Sequence, residues 1–178
     1  ALINMGNVLK DLGRFALALE CLQKAVQLAP ASHLAHNNLG TVLNELRWAL
    51  SAPGSYRHEE VLLSAPGDLL VQDFQLKGEA YAEEWGFAVA FREAFNRFFA
   101  TVAQADVVVL TLGLSEAWFD RVTGLYLNAA PTEHMVSVYP GRFELHVLDA
   151  AATQAMLDEI DAILRAHLRP DFKLLITV

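Results

Sequence analysis

The sequence predicts an α/β protein whose N-terminal part is all-α: helical hairpins precede an incomplete three-layer parallel α/β domain. A helical pattern recurs after 34 residues near the start of the chain, which is typical of repeat proteins. In the C-terminal half, two β-branched apolar runs flank a long amphipathic segment, as in a strand, helix and parallel strand. Residues 1–67 carry five basic and five acidic side chains, so the net charge of −8 lies in residues 68–178. We therefore predict two domains that meet after residue 67.

Composition excludes several classes of protein. Of 178 residues, 54% are hydrophobic and 19% are charged, which excludes a disordered chain. The negative net charge argues against nucleic acid and anionic membrane surfaces as partners, and no apolar run is long enough for a transmembrane helix. Cys21 is the one cysteine, which excludes an intramolecular disulfide and a cysteine-based zinc site. We expect a cytoplasmic location.

The repeat is clearest over the first 30 residues. Gly6 and Gly40 lie 34 residues apart, and the apolar spacing predicts two amphipathic helices that meet near Gly13 and end at Pro30. Small residues stand where the two helices approach closely, because larger side chains would hold their axes apart. This pattern resembles the tetratricopeptide repeat. The resemblance implies a concave groove for a peptide or protein partner; the alternative is that these helices pack on the second domain and bind nothing.

The second repeat departs from that pattern. Pro53 and Gly54 interrupt the expected start of its second helix, so we predict that this helix is short or displaced. Repeats bury each other's apolar faces, and we therefore expect more of them before Ala1. We also expect that the sequence is a fragment of a longer protein.

The second domain is predicted element by element. Residues 87–103 place an aromatic stripe at helical spacing for the core, with Arg92, Glu93, Asn96 and Arg97 on the outer face. A strand over 107–112 follows, covered on both faces. Asp149 is the candidate N-cap of a helix that Pro170 stops, and a second strand over 172–178 completes a right-handed parallel crossover. Between them, residues 120–148 form a long connection of the kind that is often functional.

Candidate site residues lie just after the first of these strands, because ligands of parallel sheets bind at the carboxyl ends of the strands. Within residues 111–118, Gly113 permits a sharp turn, Thr111 and Ser115 supply hydroxyls, Glu116 a carboxylate and Trp118 an apolar wall or indole donor. The alternative is a plain turn from strand to helix, in which Ser115 caps the helix and Trp118 fills the core.

A family resemblance supports the functional interpretation. The runs DVVVLTLGLSEAWFDRVTGLYLNAAP, RFELHVLD and RPDFKLLITV resemble part of the GSCFA domain, over roughly residues 85–178. That family is similar to the SGNH hydrolases, which are esterase-like α/β enzymes. The resemblance implies an ester-type small molecule or a glycan as substrate. The residues expected near the substrate and its oxyanion are Thr111, Gly113, Ser115, Glu116, Trp118 and Asn128.

The sequence lacks the catalytic groups that the resemblance implies. The Gly-Ser-Cys-Phe-Ala motif is absent, since Gly54-Ser55 is followed by Tyr56 and Arg57, and no aspartate has a histidine three residues later. We therefore assign no catalytic residue and expect this chain to be inactive as an esterase. The alternative is a non-catalytic module for protein–protein interaction that uses the repeat groove.

No cofactor or metal is expected. His33 and His36 are spaced for a metal but have no carboxylate close by, and neither common phosphate-binding glycine loop occurs. Glu133 with His134, and His146 with Asp149, remain as candidate substrate contacts in or beside the long connection.

Overall fold

The computed structural model describes residues 39–76, 82–112 and 115–177. The predicted first repeat lies outside these residues. The described helices are α1 (Leu39–Leu46), α2 (His58–Val61), α3 (Trp85–Phe99), α4 (Glu133–Val138) and α5 (Ala150–His167). The described strands are β1 (Leu62–Leu63), β2 (Leu70–Asp73), β3 (Ala82–Glu84), β4 (Val107–Thr111), β5 (Glu116–Asp120), β6 (Leu125–Leu127), β7 (Phe143–Val147) and β8 (Lys173–Thr177).

The strands form three small sheets. Strands β1, β2 and β3 pair antiparallel in that order, and β5 lies between β6 and β7 in a second antiparallel sheet. Strands β4 and β8 pair in parallel, with Val107 opposite Lys173 and Thr111 opposite Thr177. The protein is thus a mixed helix and strand structure in which the parallel part has two strands among the described residues.

The predicted strand, helix and parallel strand are confirmed. The Asp149 carboxylate accepts a hydrogen bond from the Ala152 amide at 2.8 Å and caps α5, which ends at His167 before Pro170. The prediction that β4 is covered on both faces is wrong. Val107 is 43% exposed and Leu175 on β8 is 53% exposed, because the packed helices lie against the other face of this sheet.

Among the described residues, no helix is both long and apolar enough to cross a membrane.

The main core lies between helices α1 and α5 and the face of the β4–β8 sheet that they cover. The buried side chains of this core are Leu39, Val42, Leu43, Leu46, Leu50, Ala105, Leu110, Ile160, Ile163, Leu164, Leu168 and Phe172. At its edge the Arg47 guanidinium donates to both carboxylate oxygens of Glu159 at 2.7 Å.

Residues 120–148 are not the irregular connection that the sequence suggested. They complete β5 and then form β6, α4 and β7. The two turns fall at glycines with positive φ, Gly124 (71°) and Gly141 (75°), where a side chain would strain the backbone. A second core forms against this sheet, from Leu63, Ala65, Phe74, Leu127, Ala129, Met135 and Phe143.

The helices of the second repeat have the predicted irregularity. Helix α1 continues through a π-helical turn, Arg47–Ser51, and the chain then turns at Pro53 and Gly54. The next helix, α2, has four residues, which confirms a short second helix. Strand β1 follows at once and pairs with β2, so this segment enters a sheet.

Candidate functional site

The predicted site residues begin at the carboxyl edge, by which we mean the ends of β4 and β8 and residues 115–116. The Thr177 hydroxyl lies 3.0 Å from the Thr111 hydroxyl and donates to it, and the Leu112 amide donates to the Thr177 carbonyl at 2.8 Å. Both threonines therefore present their hydroxyls together at the place where parallel sheets bind ligands. Gly113 lies outside the described residues.

Ser115 and Glu116 continue this edge into a strand. The Ser115 carbonyl accepts a hydrogen bond from the Leu148 amide at 2.8 Å, and Glu116 is exposed at the start of β5, opposite Val147. The alternative that Ser115 caps a helix is wrong, because residues 116–120 pair with β7 and extend as a strand. The end of β7, at Val147, therefore lies beside residues 115–116.

Trp118 and Asn128 make structural contacts. Trp118 is half-buried against the second core and stands between Leu127 and Leu145 in the sheet, so it fills core as the alternative interpretation proposed. The Asn128 amide donates to the Phe74 carbonyl at 2.8 Å. Of the predicted site residues, Thr111 lies at the end of the parallel strands, and Ser115 and Glu116 lie at the start of β5.

Three polar side chains on the sheet of β5, β6 and β7 form a further group, which the sequence pattern did not reveal. We call Tyr126, His146 and Glu144 the His146 cluster. The Nε2 atom of His146 is 2.6 Å from Glu144 Oε1, and its Nδ1 atom is 3.3 Å from the Tyr126 hydroxyl. An ionised carboxylate only accepts, so Nε2 carries the proton and Nδ1 is left to accept from the phenol. A hydroxyl, an imidazole and a carboxylate are thus joined by two successive hydrogen bonds.

The register of the sheet explains why these three side chains meet. Phe119 stands opposite Tyr126 on one side and Glu144 on the other, and residues two apart in a strand share a face. The Phe119 ring also stacks on His146 with 4.6 Å between ring centroids. The sequence signal is the Glu-x-His alternation of β7, but the position of Tyr126 depends on how β6 pairs.

Helix α1 holds Tyr126 from the other side. The Tyr126 carbonyl accepts from Asn44 Nδ2 at 2.9 Å and from Gln75 Nε2 at 2.8 Å. The ring lies so close to Gly40 that a Cβ there would be 2.5 Å from its atoms. Burial, and secondly the charge of Glu144, raise the pKa of the Tyr126 phenol, so this hydroxyl stays protonated at neutral pH.

Two protein-family models match the chain. The model of the GSCFA family matches residues 21–178. The chain belongs to the GSCFA family. A tetratricopeptide repeat model matches residues 1–32, so both resemblances seen in the sequence are confirmed. Comparison with curated proteins and with solved structures gives no significant match.

A buried charge cluster joins α1, α3 and β2 of this GSCFA domain. Arg92 is fully buried, and its Nη2 atom lies 2.6 Å from both carboxylate oxygens of Glu45, while Nη1 is 3.7 Å from Asp73. The prediction that Arg92 belongs to the outer face of its helix is wrong, because these carboxylates hold it inside. Burial raises the pKa of Glu45 to about 7 although Arg92 opposes this, and burial likewise raises the pKa of Asp73.

The GSCFA domain also has a cavity between residues 63–72 and helix α4, open to solvent. Its volume is about 370 Å³, and it is lined by Leu63, Ser64, Ala65, Gly67, Asp68, Leu69, Leu70, Gln72, His134 and Met135. His134, a candidate substrate contact, therefore belongs to this cavity rather than to the edge. In the described part of the chain, no group of three His, Cys, Asp or Glu side chains is arranged for a metal ion.

Proposed function

We propose that this GSCFA domain is an esterase-like α/β domain of the SGNH type that binds an ester-type small molecule or a glycan ester without hydrolysing it. One observation carries this proposal: the parallel strands β4 and β8 end side by side, with the Thr111 and Thr177 hydroxyls 3.0 Å apart. Ligands of parallel α/β sheets bind at such edges. Ester oxygens accept hydrogen bonds, and the hydroxyls of Thr111 and Ser115 can donate them.

Turnover requires more than a binding edge. Nucleophilic hydrolysis needs a hydroxyl activated by a base and donors for the developing oxyanion. The Gly-Ser-Cys-Phe-Ala motif and the Asp-x-x-His pattern are both missing from the sequence. The His146 nitrogens are taken by Tyr126 and Glu144, so neither is free to activate Ser115. Binding without hydrolysis follows.

Steady-state hydrolysis of p-nitrophenyl acetate tests the catalytic half of this proposal. The full chain should release p-nitrophenolate, after any initial phase, no faster than a heat-treated sample. The variants for comparison are Ser115→Ala at the edge and Ser137→Ala, which is an exposed position of α4. Sustained turnover that Ser115→Ala abolishes and Ser137→Ala leaves intact would show that the edge holds an active nucleophile, against our proposal.

A second function, peptide or protein binding, is favoured by the tetratricopeptide match over residues 1–32. Such repeats form grooves that hold extended segments of a partner. A peptide library screened on the immobilised full chain should yield ligands whose binding is lost when the chain begins at residue 33. Equal binding by both chains, or no ligand at high micromolar concentration, would contradict a role for the repeat.

A further inference from the structure

We propose that the Tyr126 hydroxyl is a reactive group of this protein, which accepts an acyl group from an activated ester with His146 as its general base and Glu144 as the residue that positions His146. The hydroxyl, the imidazole and the carboxylate are already joined by contacts of 3.3 Å and 2.6 Å. Neither the carboxyl edge nor any serine takes part in this chemistry.

The arrangement satisfies the geometric requirements for an activated nucleophile. A nucleophile must lie within hydrogen-bond reach of its base, and a third group must orient that base. Tyr126 and His146 meet the first requirement loosely, as is common without substrate. His146 and Glu144 meet the second with a short contact. Stacking on Phe119 further fixes the plane of the imidazole.

Charge in the neighbourhood favours proton transfer to His146. The Glu144 carboxylate bonds His146 through Oε1, while its Oε2 lies 3.8 Å from Arg121 Nε. An imidazolium formed during the reaction would therefore sit beside an ionised carboxylate, which stabilises it. The His146 side chain is 32% exposed and Tyr126 is half-buried, so solvent reaches both residues.

The proposed step transfers one acyl group. The Tyr126 oxygen forms a bond to the acyl carbon while its proton moves to His146 Nδ1, and the carbonyl electron pair moves onto the carbonyl oxygen. When that pair returns, the bond between the acyl carbon and the leaving oxygen breaks, and the leaving group departs with the bonding electrons. His146 then returns its proton to solvent or to the leaving oxygen. The product is an O-acyl tyrosine, and nothing is oxidised or reduced.

The acyl group should persist on Tyr126. A phenolate whose parent phenol has a raised pKa is a poor leaving group, and burial and Glu144 raise the pKa of Tyr126. Deacylation by water is therefore slower than acylation by an activated ester. The reaction should appear as a single burst of one equivalent and not as sustained turnover, which separates it from the serine chemistry tested above.

The test is acylation of the full chain with p-nitrophenyl acetate, followed at pH 7.5 by the p-nitrophenolate burst and by mass spectrometry of peptides. We expect one acetyl group on Tyr126. The burst should vanish in Tyr126→Phe and slow by about 100-fold in His146→Ala, the usual effect of removing a general base. Tyr139→Phe is the matched control, because the Tyr139 hydroxyl bonds the Ser64 carbonyl and no imidazole.

A further variant tests the residue that positions His146. Glu144→Gln retains a hydrogen-bonding side chain but removes the charge that stabilises an imidazolium at His146, so it should shift the pH profile of the burst to lower pH while leaving the acylation site unchanged. If His146→Ala does not fold, this variant replaces it. An unacetylated Tyr126, acetylation of Tyr139 at an equal rate, or a burst that neither His146→Ala nor Glu144→Gln alters would overturn the proposal.

Discussion

Arg92 and Glu45 form an ion pair that is closed to solvent: Nη2 of the guanidinium lies 2.6 Å from both carboxylate oxygens, and neither side chain is more than 1% exposed. The pair joins α1 to α3. Asp73 on β2 approaches the same guanidinium, and the rings of Trp48 and Tyr56 lie 5.0 and 4.7 Å from it. Two helices and a sheet thus share one buried cation.

Removal of that cation should destabilise the protein strongly. Arg92→Leu leaves Glu45 and Asp73 buried without a positive partner, and breaking a buried pair in this way costs about 3–5 kcal/mol. Urea denaturation measures the loss. The control is Arg97→Leu, whose 4.0 Å pair with Glu93 is exposed and should contribute under about 1 kcal/mol. Equal effects of the two substitutions would show that Arg92 does not carry the buried pair.

Stability should fall as pH rises through the range in which Glu45 ionises. Its pKa is raised from 4.5 when unfolded to about 7 in the folded protein, so between these values the folded state holds the proton more tightly. The free energy of unfolding therefore decreases from about pH 4.5 to 7 and levels off above it. Asp73 acts in the same direction, with Arg92, Tyr56 and His58 around it.

The measurement for this pH effect is urea denaturation of the wild type and of Glu45→Gln at several pH values. The difference between the two isolates Glu45 from the other titrating groups. Glu45→Gln should flatten the decline between pH 5 and 7. If the wild type instead became more stable relative to Glu45→Gln across that range, the carboxylate would be ionised at low pH and its raised pKa would be wrong.

Gly40 should not tolerate even one added carbon. A Cβ at Gly40 would be 2.5 Å from the Tyr126 ring, and overpacking of this kind costs about 1–3 kcal/mol. Gly40→Ala should lower the melting temperature accordingly. Gly86→Ala is the control: nothing lies within 4 Å of its Cβ position in α3, so it should be neutral or stabilising. Two harmless substitutions would mean that α1 does not pack on Tyr126.

The cap of α5 should contribute a modest, measurable stability. Asp149→Ala removes the acceptor for the Ala152 amide and should cost about 1 kcal/mol by urea denaturation. Asp149→Asn keeps an acceptor and should cost less. Asp158, an exposed position within the same helix, is the matched control for loss of a carboxylate. A loss at Asp158→Ala as large as that at Asp149→Ala would contradict the capping role.

Local patterns sufficed for the elements that depend on local physics. The β-branched run after Asp106, the Asp149 cap and the stop at Pro170 each act within a few residues, and β4, α5 and β8 were predicted correctly for that reason. The sheet of β5, β6 and β7 was missed, because its strands are short and its stability comes from cross-strand pairing. The domain boundary after residue 67 stays a prediction.

Arg92 shows a second limit of sequence patterns. Helical periodicity assigns a charged residue to the solvent face, since burial of a lone charge is unfavourable. Only the approach of Glu45 and Asp73 from other elements reverses that preference. The His146 cluster was missed for a similar reason. His146 was a candidate contact, but the register of β6 places Tyr126 beside it.

A chemical-shift titration of the ¹⁵N-labelled full chain shows whether the carboxyl edge binds a ligand. The probe is p-nitroacetanilide, an amide analogue of the ester that resists hydrolysis. We predict saturable shifts of the Thr111, Leu112, Ser115, Glu116 and Thr177 amides. Shifts confined to the cavity around Leu63, Asp68 and Gln72, or no shifts at millimolar probe, would show that the carboxyl edge is not the binding site.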